Sequence, residues 1–171
     1  TAIERTLDQA GLGHAFISES AERIAQLRTP GLLILASYPT GSPDVLSALE
    51  EFVVRGGTIL WTDVPGPGLK ASSALRRLTG LASAHWMGKA RLRIEAVGDH
   101  PLGLRMVTKP FRTESLYEAT PLGAQVIAQR ADGTPAAFLN PVGKGRVIVL
   151  AFHLMKSTSP EIGRASWRER V

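Results

Sequence analysis

The stretch LLILASYPTGSPDVLSALEEFVVRGGTILWT, residues 32–62, decides the fold. It opens on Leu32-Leu33-Ile34-Leu35-Ala36, an unbroken apolar run. A run apolar on both faces predicts a central parallel strand covered from each side. Ser42 then caps a helix, Pro43 takes its first position, and Asp44 sits at the positive end of the dipole. Val45, Leu46, Leu49, Phe52 and Val53 recur at one helical stripe. Gly56-Gly57 stops that helix, and Thr58-Ile59-Leu60-Trp61-Thr62 follows as a β-branched and aromatic strand. Strand, helix and strand with short joins make a βαβ unit, in which Ile34 and Leu60 run side by side in one direction.

On the N-terminal side, residues 2–10 predict a short helix ended by Gly11 and Gly13, and 14–17 a short strand. Ser20 caps a helix over 21–27, and Pro30-Gly31 breaks the chain before the first apolar run. On the C-terminal side, Pro65-Gly66-Pro67-Gly68 is a loop, followed by a helix over 69–78 that Gly80 ends. Residues 91–97 alternate charged and apolar positions, as a half-exposed strand does. Ala131-Asp132-Gly133, between apolar runs 125–130 and 134–140, signals a hairpin. Val142-Gly143-Lys144-Gly145 is a second turn, and 146–152 a last apolar strand. The expectation is an α/β domain: a flavodoxin-like, mostly parallel sheet flanked by helices, with an antiparallel β-hairpin appendage in its C-terminal half.

Composition bounds the chemistry. The chain has 171 residues, 44% apolar and 20% charged, a globular balance for one domain. It holds no cysteine, so disulfides, thiolate metal sites and thiol nucleophiles are ruled out of this stretch. No run approaches the length of a membrane span. The chain opens on Thr1 with no leader-like segment, and both ends read as cut, leaving a domain over 1–160. The segment EIGRASWRERV, residues 161–171, closely resembles the translation of a common DNA-sequencing adaptor, with Trp167 where that translation carries Cys. Its three Arg and two Glu contribute one of the five net positive charges. Elsewhere Arg76-Arg77 and Arg91-x-Arg93 are the densest basic spots, without a stacking pattern beside them. They read as solvated surface, so no nucleic-acid partner is expected.

The motifs are sparse. Gly66-Pro67-Gly68-Leu69-Lys70-Ala71 fits G-x-G-x-x-A, yet Pro67 removes an amide that a pyrophosphate would use, so turn chemistry explains it. Gly143-Lys144-Gly145 lacks the spacing of a phosphate-binding loop. His14, His85, His100 and His153 include no i, i+4 pair, so no local metal motif exists and no cofactor is expected. Asp63 ends one strand, Ser37-Tyr38-Pro39 follows another, and His153 closes the last. Carboxyl ends of parallel strands are where such sheets hold ligands, so Tyr38, Asp63 and His153 are the candidate ligand-binding residues. A lone histidine there more often has a structural role. Ser37, Asp63 and His153 could be drawn as a hydrolytic triad, but no nucleophile elbow surrounds Ser37 and Pro39 sits two residues later, which weighs against it. No catalytic residue is assigned.

Several segments, in order, resemble the class I glutamine amidotransferase-like superfamily over residues 5–155. They are LLILASYP (32–39), the unit at 42–62, LRRLTGL (75–81), Asp99-His100-Pro101-Leu102, Glu114-Ser115-Leu116-Tyr117, and GTPAAFLNPVGKGRVIVLAFH (133–153). The order is similar to the trimerisation domain of family 42 β-galactosidases and to ThuA-like trehalose-utilisation proteins. Amidotransferases of that superfamily need a nucleophilic Cys on an elbow. Here Asp63-Val64-Pro65-Gly66 follows the strand instead. The resemblance therefore implies a non-catalytic branch, serving self-association or a neighbouring glycoside hydrolase domain. An alternative is a ThuA-like sugar-metabolism enzyme or a sugar-binding domain, with a carbohydrate ligand at Tyr38, Asp63 and His153. A weaker reading is a domain appended to a membrane-anchored bacterial protein. The residues leave the compartment open, with the cytoplasm slightly favoured.

Overall fold

The computed structural model describes residues 7–9, 11, 14–15, 20–35 and 42–153. The expectations for Ser37, Tyr38, the strand residues Phe16 and Ile17, and the tail at 161–171 fall outside the described residues.

The elements run α1 (Ala21–Ala25), β1 (Leu32–Leu35), α2 (Pro43–Val54), β2 (Thr58–Trp61), α3 (Gly66–Ala71), α4 (Ser73–Thr79), β3 (Leu81–Leu92), β4 (Ile94–Ala96), α5 (Pro101–Arg105), β5 (Phe111–Pro121), β6 (Gln125–Arg130), β7 (Pro135–Val142) and β8 (Gly145–Leu150). Six strands form one sheet in the order β1-β2-β8-β7-β6-β4, and β3 and β5 form a second, two-stranded sheet. The βαβ unit stands as read. β1 and β2 are parallel, Ile34 is the register partner of Leu60, and α2 lies between them in the chain. β8 joins β2 in parallel, with Ile148 opposite Leu60.

The expectation of a mostly parallel sheet is corrected. Two of the sheet's pairings are parallel, and three (β8 with β7, β7 with β6, β6 with β4) are antiparallel. For two of the three, the reason is connection length. Short turns join β6 to β7 and β7 to β8, and a turn that short can only return the chain antiparallel. The pair β6–β7 is thus part of the main sheet rather than an appendage to it. Its Asp132-Gly133 turn is tied by the Thr134 amide donating to Asp132 Oδ1 at 3.0 Å. The Arg130 guanidinium, donating to the same carboxylate, holds Asp132 well below the usual carboxylate range.

The first apolar run is also placed differently. β1 lies at the edge of the sheet among the described residues, not at its centre, and Leu32 is 58% exposed. The helix expected over 69–78 is two helices. Ser72 is extended (φ −123°, ψ 114°), and its side chain accepts from the Leu75 amide at 3.2 Å. A serine that can cap competes with continuing the helix. The strand expected over 91–97 divides after Leu92, so that β3 belongs to the small sheet and β4 to the large one.

Each face of the large sheet carries a core, and alternation along β8 shows how. Val147 and Val149 join one core with Leu49, Phe52, Val53, Ile59 and Trp61, under the helices. Ile148 and Leu150 join the other, with Ile127, Phe111 and Phe152. Burying one such large side chain stabilises by about 1.5–3 kcal/mol. The β3–β5 ribbon links the two cores. Leu81, Ala84 and Ala119 sit in the first core, whereas Leu92, Phe111 and Leu116 sit in the second. Register shifts after Leu81, Trp86 and Gly88 let β3 turn from one to the other, as bulges increase local twist. No helix among the described residues is long and apolar enough to cross a membrane.

Candidate functional site

The site is built at the carboxyl ends of β2 and β8. β2 is pinned to β1 as far as Thr62, whose amide and hydroxyl both donate to the Leu35 carbonyl, at 3.0 and 3.3 Å. The chain then leaves the sheet through Asp63. Asp63 Oδ1 is buried without a hydrogen-bond partner, and so is Trp61 Nε1. Gly66 follows at the start of α3, where a Cβ would stand 3.1 Å from the Ala84 carbonyl oxygen and 3.7 Å from the Tyr117 ring. The glycine of the G-x-G stretch thus serves close packing against the ribbon, in keeping with turn and packing chemistry rather than a phosphate loop.

Tyr117 comes to Asp63 from β5. Its phenol is pushed up from 10.0 to about 12, first by burial, then by its hydrogen bond to Asp63, then by that carboxylate's charge. Each cause disfavours a second negative charge beside the first.

His153 arrives from the end of β8. Beyond that strand, the chain bridges to β5 at Leu116 and Phe152. The Tyr117 amide donates to the Ala151 carbonyl at 2.8 Å, and the His153 amide to the Ser115 carbonyl at 2.9 Å. The Thr113 hydroxyl donates to the His153 carbonyl at 3.2 Å. Leu116 and Phe152 turn into the second core. Residues alternate across such a pairing, so His153, Ala151, Ser115 and Tyr117 share the opposite face. His153 is buried there, 5% exposed.

Tyr117 therefore links the two described candidates. It bonds Asp63 with its side chain and holds the segment carrying His153 with its backbone. Tyr38 lies outside the described residues. In the sequence, Tyr117 stands out only as the end of Glu114-Ser115-Leu116-Tyr117 in the family resemblance, with no role attached. Among the described residues, no group of three His, Asp or Glu side chains is placed to hold a metal ion. His100, prominent in the sequence, caps α5 by accepting from the Leu102 amide through Nδ1 at 3.3 Å. A surface groove of about 350 Å³ runs along α2, lined by Ser47, Glu50, Glu51, Val54 and Arg55, and includes none of these residues. Chemically, the Asp63–Tyr117 pair sets a phenol hydroxyl beside a carboxylate, which suits holding a polar group.

No protein-family model matches this sequence, and no curated protein matches it. Solved structures do share its fold. A β-galactosidase from Rahnella sp. R3 matches at TM-score 0.60 and 20% identity, over 86% of this chain and 23% of that one. A GH42 β-galactosidase from G. stearothermophilus matches at TM-score 0.50 and 20% identity, over 71% of this chain and 19% of that one. A cytoplasmic protein from Salmonella typhimurium LT2 matches at TM-score 0.61 and 13% identity, over 87% of this chain and 74% of that one. The chain spans about a fifth of the length of the two β-galactosidases. At these identities the likeness shows the fold alone.

Proposed function

We propose that this chain is a non-catalytic accessory domain associated with a glycoside hydrolase, serving assembly of the enzyme or the shaping of its substrate cleft. One observation carries the reading: the fold recurs as about a fifth of β-galactosidase chains several times its length. The residues support it. The elbow position that a class I amidotransferase gives to a thiol is here Asp63-Val64-Pro65-Gly66, and the sequence has no cysteine. The kinship to the amidotransferase-like superfamily and its trimerisation branch belongs to this proposal, as does self-association.

The chain alone is expected to release no nitrophenol from nitrophenyl β-galactoside or β-mannoside, and the intact reading frame to encode a glycosidase-type barrel. Turnover by the chain alone that Asp63→Asn abolishes would show an enzyme and sink the reading. A second reading, a sugar-binding domain, is favoured by Asp63 and Tyr117 meeting at a strand end, with His153 on the face that Tyr117 occupies. It requires ligand binding without turnover.

A further inference from the structure

Beside the Asp63–Tyr117 pair stands an uncovered indole. Trp86 is 66% exposed. It is the register partner of Tyr117, and residues directly opposite in an antiparallel pair share a face. One step along, Ala84 and Ala119 face each other in the first core, so this is the ribbon's inward face, emerging from the core at its rim. The register shift between Trp86 and Gly88 ends the inward packing there. Gly88 has φ +95°, and a Cβ on it would lie 4.0 Å from the indole, so a glycine keeps that side of the ring clear.

The surroundings narrow what such a ring would meet. A protein anchor sits in a contiguous apolar patch of several hundred square ångströms. Here Met87 is the one large apolar neighbour exposed along β3; His85, Lys89 and Glu118 are exposed and polar, and Lys89 is paired with Glu114 at 2.5 Å. What remains is a single aromatic plane next to a partly exposed phenol. The Tyr117 ring lies against Gly66, three residues past Asp63, and a phenol that donates to a carboxylate still accepts through its oxygen lone pairs. An apolar plane flanked by a hydrogen-bonding hydroxyl matches a pyranose, which has a C–H face and an equatorial hydroxyl rim.

We propose that Trp86 and Tyr117 form a binding site for one pyranose unit, its C–H face stacked on the indole and one hydroxyl donating to the phenol oxygen, with Asp63 as the positioning residue. The choice of a saccharide over another hydroxylated ring rests on the glycoside-hydrolase reading above.

The test titrates the whole chain with methyl β-D-galactopyranoside and methyl β-D-mannopyranoside, followed by tryptophan fluorescence and saturation-transfer NMR. A saturable response to at least one saccharide is expected. Trp86→Ala should abolish it, Trp86→Phe should keep it, and Tyr117→Phe should weaken binding about tenfold, the loss of one good hydrogen bond. Circular dichroism melts matching wild type establish that the variants fold. No saturable response to either saccharide overturns the proposal, as does a response that Trp86→Ala leaves intact. Concentration-dependent self-association that Trp86→Ala removes also overturns it, and makes Trp86 a protein contact. Missing saccharide binding leaves the accessory-domain reading untouched, whereas glycoside turnover by the chain sinks that reading alone.

Discussion

Tyr117 concentrates the residue-scale physics. Its phenol is pushed up to about 12, so the folded chain holds a proton at this site more tightly than the unfolded chain, whose tyrosines ionise near 10.0. A group with a raised folded value contributes stability that is whole below the unfolded value and is lost as pH rises through the folded one. The fold should therefore weaken between pH 10 and pH 12. Tyr117→Phe should flatten that decline in urea midpoints measured across the range. Asp63→Asn removes one of the causes and should lower the phenol's ionisation toward 10.0, read by tyrosinate absorbance in a Tyr38→Phe background. An unchanged titration in Asp63→Asn would mean that the two side chains do not meet. Little of this was legible in the sequence. Asp63 and His153 stand out because each ends an apolar strand. Tyr117 lies mid-strand in a polar stretch, and its neighbours are fixed only when β5 pairs with the chain that leaves β8.

At the scale of elements, legibility tracked the strength of the local pattern. α2 has its Pro, its acid and its apolar stripe, and it spans Pro43–Val54 much as its signals predict. Gly80 caps α4 at φ +68°, and its carbonyl accepts from the amides of Leu122, Gly123 and Ala124. β3 escaped notice because its residues do not alternate. His85, Trp86 and Met87 are exposed in succession around a register shift, which no period-2 pattern produces. α5 escaped because five residues carry no periodicity. Its logic is local and steric. His100 caps it, Pro101 opens it, and Gly103 lies directly against the Ile127 carbonyl of β6, so close that a Cβ would collide with backbone. Gly103→Ala must then push α5 off the sheet, and overpacking against rigid backbone costs about 1–3 kcal/mol. The urea midpoint should fall accordingly, with Leu102 and Met106 loosened from the second core. A variant as stable as wild type would show that α5 is not seated on β6.

At the scale of the molecule, the two sheets are joined in two ways: by the cores they share, and by the last described residues, 151–153, which run from β8 onto β5. The second join has an anchor. Phe152 is 6% exposed and packs edge-on against Phe111, with ring centroids 5.5 Å apart. Its flanking backbone supplies the bonds that hold Tyr117 and Ser115. The apolar character of 146–152 announced a strand. It did not announce that the final residues leave the large sheet for the small one, because transfer depends on where β5 ends up and not on local pattern. If this clasp positions the Tyr117 face, then loosening it should act at a distance from the substituted ring. Phe152→Ala should cost about 3–5 kcal/mol in unfolding free energy, as large-to-small changes in aromatic cores do. Phe152→Leu retains most of the volume and should cost well under half of that. Native-state hydrogen exchange discriminates the clasp from general destabilisation. In Phe152→Ala the amides of Tyr117 and His153 should exchange faster than those of β2, whose hydrogen bonds to β1 and β8 are untouched. Uniform acceleration across both sheets would mean that Phe152 serves only as core volume, and that the ribbon holds its place over Asp63 without the clasp.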